Sequence, residues 1–299
     1  QNLLGLGYGR PKSDAGRGGS DAIDVYIQEL SSQQIYGYVS PDESLISMSS
    51  SYMVIDNNFK ESVYPTKGMD ALRVTTAHEF FHMMHYSYFS GDTASWWMEH
   101  TAVWFEDHVW DDVNDYLLYL GSFLSNRDTP LDTSGNFSYS ASIFAFMIAK
   151  KYGNDTIRTI WTTFKDRQDG RIDLLNSILP DGNTQAVNDL GVWCYFTGSR
   201  ANSQKYFTDS PLMTGMVTAS DTIRAVPATD SLSFNRYTFK YVDLTPANGF
   251  SPADSLQFNF IERDGGLWKR SIILYNSSTD SEIVSLTGTR PLLVFPRAF

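Results

Sequence analysis

The chain has 299 residues, room for one large or two ordinary domains, and its 42% apolar and 14% aromatic content excludes a disordered polypeptide. Acidic residues number 34 against 23 basic ones, and the net charge of −11 argues against nucleic acid or any other polyanion as a partner. The longest apolar runs, such as IFAFMIA at 143–149, are far too short for a bilayer, so the expectation is a soluble chain with no membrane insertion.

The opening residues, QNLLGLGYGRPKSDAGRGGSD, read as an exposed N-terminal tail over 1–20. No basic segment followed by an apolar stretch opens the chain, so no signal peptide is visible and the tail is expected to be a stub left by processing. Sparse Lys and abundant Ser, Thr, Asn, Gly and Tyr suit an exported bacterial enzyme, secreted or held at the cell surface or in the periplasm. Asp14, Asp21 and Asp24 could line a Ca²⁺ loop in this Gly-rich opening, but they lack the EF-hand pattern, and solvated acids are the simpler reading.

Three strand-like runs rich in β-branched and aromatic residues come next: DAIDVYIQEL (21–30), IYGYVS (35–40) and SYMVIDNNF (51–59). From about Asp70 the apolar spacing turns helical, with Leu72, Ala77, Phe81 and Met84 in register; Gly91 and Asp92 end that helix. A second helix is expected from about Ser95 to Val109. Further helices follow near Val113–Ser125, Ser138–Tyr152, Asp155–Phe164, Ile172–Ile178 and Thr184–Phe196. The single cysteine, Cys194, lies in the apolar part of the last of these, where a buried inert thiol is expected and no internal disulfide can form.

Past about residue 205 the pattern alternates with period two, as in SLQFNFIER (255–263), and FNRYTFKYVDL, LWKRSIILYN and PLLVFPRAF are also strand-like. The expected fold class is therefore α+β: a domain over 21–204 in which strands precede helices, then a small all-β sandwich over 205–299.

All five histidines fall between His78 and His108, together with three of the eight glutamates. His78-Glu79-Phe80-Phe81-His82 is an H-E-x-x-H motif. On a helix, residues i and i+4 share one face about 6 Å apart, which lets two imidazoles meet one Zn²⁺. Glu79 is turned about 100° from His78, so it is placed to act on a water at the open coordination position and not to ligate.

A catalytic zinc site takes a third protein ligand. The metzincin pattern would need Gly at 85 and His at 88, but those positions hold His85 and Tyr88. A glutamate from the following helix is the other solution. Glu99 lies seventeen positions after His82, with Gly91 and Asp92 between them to reverse the chain. Glu106 is two helical turns further on the same face, placed to accept the far N–H of a ligating histidine. His85 is a turn too far along to complete a three-histidine site, and is expected to line the cleft or pack under the second helix. His100 is expected at the cleft and His108 at the surface. Trp96, Trp97, Trp104 and Trp110 read as core packing.

H-E-x-x-H, a short excursion, then W-x-x-E-x-x-A-x-x-x-E resembles the gluzincin group of zinc metallopeptidases. The wording WWMEHTAVWFED is closer still to a family of secreted bacterial metallopeptidases in that group. The likeness covers about residues 20–200 and is concentrated at 78–106. Gluzincins typically carry Gly after the ligand Glu, where this chain has His100. The resemblance implies a zincin-like catalytic domain and a peptide or protein substrate. It also carries over Tyr139, in NFSYSASIFAFMI, as a donor to the oxyanion, and an edge strand, here 51–59, that pairs with extended substrate. The aminopeptidase branch uses an upstream glutamate that SYMVIDNNF lacks, so an endopeptidase is expected. The competing expectation is an inactive, peptidase-like binding protein that attaches to a surface, glycan or partner through its C-terminal β domain.

Overall fold

The computed structural model describes residues 2–43, 48–126, 128–217, 219–225, 227–245, 255–261, 268–277, 280–287 and 291–294. Packing divides the chain into two compact units, one of residues 1–123 with 131–178 and the other of 124–130 with 179–299. The class is α+β.

In the first unit, α1 (Asn2–Gly5) precedes strands β1 (Val25–Gln28), β2 (Gly37–Pro41) and β3 (Ser51–Asp56), which form one sheet in the order β1-β3-β2. Val25 to Gln28 run parallel to Met53 to Asp56, while Gly37 to Pro41 run antiparallel to Ile55 back to Ser51. The strand expected to offer a free edge at 51–59 is thus the central one, with both backbone edges already paired. The edge strand beside the motif helix is β2. This order is a long-range property that no local pattern in SYMVIDNNF encodes. β3 stops at Asp56 because its carboxylate accepts the backbone N–H groups of Asn58 (2.9 Å) and Phe59 (2.7 Å), turning the chain.

Met53, Ile55, Phe59, Tyr64, Ala71 and Met83 form one apolar cluster that joins the sheet to helix α2 (Gly68–Tyr88). Buried residues lie on every side of α2, from Ala71 and Val74 to His78, Glu79, Phe81, His82, Met83 and Met84. Such a helix belongs at the centre of a core. Helices α3 (Ser95–Val109) and α7 (Asn154–Arg167) pack against it, and α5 (Asn136–Ala141) and α6 (Ile143–Tyr152) pack against α3. The start of α3 is fixed from a distance. Trp96 Nε1 donates to the Gly170 carbonyl at 2.9 Å and the Gly170 N–H donates to Thr93 Oγ1 at 2.9 Å. A Cβ on Gly170 would fall 2.3 Å from that of Ala94, so only glycine allows this approach.

Several local expectations shift. The N-terminal segment is not a solvent tail throughout: Leu3 and Tyr8 are buried, and the Tyr8 ring sits edge-on to Phe81 and Tyr88. The helix expected over 113–125 is a 3₁₀ turn, Asp115–Leu118, followed by α4 (Leu120–Ser125). Ile172–Ser177 is also 3₁₀. The helix expected over 138–152 is divided into α5 and α6 at Ser142. No helix among the described residues is long and apolar enough to cross a membrane.

In the second unit, α8 (Gly182–Tyr195) is buried along Ala186, Val187 and Leu190 and carries the buried Cys194. The described strands pair two by two: β4 (Asp221–Ile223) with β5 (Val242–Leu244), β6 (Ser255–Gln257) with β9 (Leu292–Val294), and β7 (Ser271–Tyr275) with β8 (Ser281–Ser285). Leu274 and Leu293 share an apolar cluster with Leu256, Phe258, Ile272 and Val284. Asn188 on α8 donates to Ser271 Oγ at 3.0 Å, and Tyr241 donates to the Gly191 carbonyl at 2.6 Å, so this helix packs with the C-terminal residues. Residues 295–299 of the run PLLVFPRAF and 262–263 of SLQFNFIER lie outside the described residues.

Candidate metal centre

The motif helix and α3 bring three donor atoms together. His78 Nε2 and His82 Nε2 are 2.9 Å apart, and Glu99 Oε2 lies 3.2 Å from the first and 3.4 Å from the second. Four-residue spacing on α2 stacks the two imidazoles, with ring centroids 4.6 Å apart, and the reversal at Gly91 to Ala94 lets α3 return Glu99 to the same point. In a tetrahedral zinc site with bonds of about 2.0–2.2 Å, adjacent ligand atoms sit roughly 3.3 Å apart, which these separations approach.

Three donor atoms this close together need a proton or a cation among them. His78 Nδ1 lies 2.5 Å from Glu106 Oε1, so the ring shares a hydrogen on that side and turns Nε2 towards Glu99. Glu99 Oε2 is shielded from solvent and makes no hydrogen bond. Electron-rich atoms facing one another at 2.9–3.4 Å repel unless a proton or a metal lies between them. The donor set of two imidazoles and one carboxylate is that of a catalytic zinc site and fits this ion.

The charges respond accordingly. Burial pushes the His78 pKa down, but Glu106 and Glu99 outweigh it and hold the imidazole well above its ordinary value. Burial likewise opposes charge on Glu99, yet His82 and His78 keep its carboxylate well below the usual range. Burial raises Glu79, with only partial relief from His78 and His82, so this carboxyl holds a proton more readily than a surface glutamate. Glu106 is pushed up to about 7 by burial against the opposing hydrogen bond from His78.

Glu79 is buried beside the ligands, and its Cγ would lie 3.3 Å from a Cβ added to Gly37, so the glycine of edge strand β2 passes directly over it. The Tyr139 ring is parallel to that of His78, at 5.6 Å between centroids. Burial, with the Glu99 and Glu79 charges added, holds its phenol well above its ordinary pKa, so it remains a donor.

Some neighbours were not singled out from the sequence. Tyr86 is close enough to Glu79 and Glu99 for their charges, after burial, to raise its pKa. Its position seven residues after Glu79 and four after His82 on one helix was the available signal. Asp115, which accepts from Tyr119 at 3.0 Å and from Thr66, is a buried acid whose charge acts on His78 and Glu106. His85 is buried beneath α3, with its ring stacked on Trp161. His100 does not line a cleft: it is fully buried among Trp96, Trp97 and Phe144, and burial lowers its pKa to about 3. His108 is exposed and stacks on Trp104. A second group of acids, Glu29, Asp56 and Glu61, also lies close together, but Asp56 is saturated by Leu30, Asn58, Phe59 and Tyr64. Asp14, Asp21 and Asp24 belong to neither group.

Compared with protein-family models, curated proteins and solved structures, the chain matches none of them.

Proposed function

We propose that the protein is a zinc-dependent peptidase, of the endopeptidase kind, acting on extended peptide or protein substrates. The observation that carries this reading is the convergence of His78 Nε2, His82 Nε2 and Glu99 Oε2 within 3.4 Å of one another, with buried Glu79 alongside. Zinc held by these three side chains would polarise the scissile carbonyl and lower the pKa of a coordinated water towards about 7. Glu79 takes the proton of the attacking water and passes it to the departing amine; its raised pKa suits both halves of that task. Tyr139 donates a hydrogen bond to the oxygen on which charge develops. Glu106 orients His78.

The same reading makes the first unit a zincin-like domain, with the sheet β1-β3-β2 packed on the metal helix. β2 supplies the open sheet edge nearest Glu79, where an extended substrate would add as a further strand. We extend the proposal to a small β-sandwich at the C terminus, supported by the apolar cluster shared by β6 to β9, and to a secreted or cell-surface location, supported by composition alone.

The test is metal analysis together with cleavage of an unfolded protein, comparing wild type with Glu79→Gln. Zinc in both and cleavage only by wild type supports the reading. Zinc without cleavage by wild type across a broad peptide library favours a binding protein built on a peptidase-like domain.

A further inference from the structure

We propose that His85 is the positioning residue that fixes the tautomer of His82, through a hydrogen-bond chain anchored on Thr101 and Trp161. Glu106 does this for His78, but no carboxylate among the described residues hydrogen-bonds the far nitrogen of His82. His82 Nδ1 instead lies 3.0 Å from Nδ1 of His85. Two like nitrogens in contact need one donor and one acceptor, and the surroundings decide which is which.

The direction follows from counting hydrogens. Thr101 Oγ1 has one hydrogen, and the Trp97 carbonyl at 2.8 Å accepts it within α3. Trp161 Nε1, a donor only, gives its hydrogen to the same Oγ1 at 3.2 Å. Towards His85 Nε2, 3.1 Å away, the hydroxyl therefore offers a lone pair, and His85 donates from Nε2. No anion among the described residues hydrogen-bonds either ring nitrogen of His85, and an imidazole that donates from Nε2 offers Nδ1 as its acceptor. His82 must then carry its hydrogen on Nδ1, and its bare Nε2 faces His78 and Glu99.

The ring is held to this role by packing. His85 is 1% exposed, stacked on Trp161 at 4.3 Å between centroids, with Phe81 edge-on at 4.7 Å. The consequence for metal affinity rests on the zinc reading above; the tautomer itself does not.

Selective ¹⁵N-histidine labelling resolves five side chains in this chain and reads each ring nitrogen by NMR. The expected result is hydrogen on Nδ1 of His82 and on Nε2 of His85, in metal-free and zinc-loaded protein alike. His85→Phe should lose the His82 Nδ1–H signal and weaken zinc binding by about 10- to 100-fold, while His85→Asn, whose carbonyl oxygen replaces the acceptor, should restore most of both. If His85→Phe does not fold, Thr101→Val decides, and should displace the hydrogen from His85 Nε2. Hydrogen on Nε2 of His82 in the wild type, or wild-type zinc affinity in folded His85→Phe, overturns the proposal. Absence of zinc uptake by wild type would overturn the peptidase reading, while the tautomers still judge this one.

Discussion

His78 Nδ1 sits 2.5 Å from Glu106 Oε1, both side chains being buried. This pair settles which face of the imidazole is available: the proton lies between the two residues, and the other nitrogen turns to the point where His82 and Glu99 meet. The carboxylate seven residues beyond Glu99 is therefore part of how a metal would be held, although it touches no metal itself. Glu106→Ala should weaken zinc binding by about 10- to 100-fold, while Glu106→Gln, which can still accept, should lose less. Isothermal titration of the metal-free proteins with zinc measures both.

Glu99 is the ligand contributed by the second helix. Glu99→Ala should abolish stoichiometric zinc at a concentration that saturates wild type, and should also lower the thermal stability of the metal-free protein. Removing Glu99 takes away the negative partner of two buried imidazoles. Metal content after gel filtration and a thermal melt of the same sample report the two quantities.

Glu79 and Tyr139 should separate chemistry from metal binding. Glu79→Gln is expected to lower kcat by about 10²- to 10⁴-fold with zinc content unchanged. Tyr139→Phe should lower kcat by about 10²- to 10³-fold, with KM nearly constant, because its hydrogen bond is needed most where charge develops. Steady-state cleavage of a peptide selected from a library supplies both values.

Zinc affinity should depend on pH in one direction. Glu106 and Glu99 outweigh burial and raise the His78 pKa, so the metal-free site keeps a proton to higher pH than an ordinary histidine does, and zinc must displace it. Apparent affinity should rise about tenfold per pH unit for each displaced proton from the ordinary imidazole range upward, flattening above the raised pKa. Competition with a chelator across that range measures the slope.

Asp56 carries a structural prediction. Its buried carboxylate accepts from the N–H groups of Leu30, Asn58 and Phe59 and from the Tyr64 hydroxyl. Burial favours the neutral acid, but these donors outweigh it and lower the pKa. Its stabilisation is therefore present above the carboxylate's unfolded-state pKa and is lost as pH falls through the lower folded value. Asp56→Ala leaves several donors buried without partners and should destabilise the first unit by about 2–4 kcal/mol, a loss that denaturant unfolding would register.

The parts of this arrangement that were legible in sequence are those governed by local geometry. The 78/82 spacing, the helix reversal at Gly91 and the two-turn step from Glu99 to Glu106 all follow from 3.6 residues per turn, and the Ser95–Val109 boundaries could be read directly. What could not be read depends on residues far apart in sequence. The order β1-β3-β2, which moves the open edge from 51–59 to β2, is decided by pairing across separate segments. Trp161 reaches Thr101 from sixty residues away, so nothing near His85 announces its hydrogen-bond partners. Tyr8 looked like tail because its burial depends on Phe81 and Tyr88.

The central claim is that two imidazoles and one carboxylate from adjacent helices hold a single ion. Anomalous scattering at the zinc edge from crystals of zinc-loaded protein tests it most directly. The account predicts one peak within about 2.0–2.2 Å of His78 Nε2, His82 Nε2 and a Glu99 carboxylate oxygen. A fully loaded crystal with no density at that point, or with the Glu99 side chain turned away from both imidazoles, would contradict it.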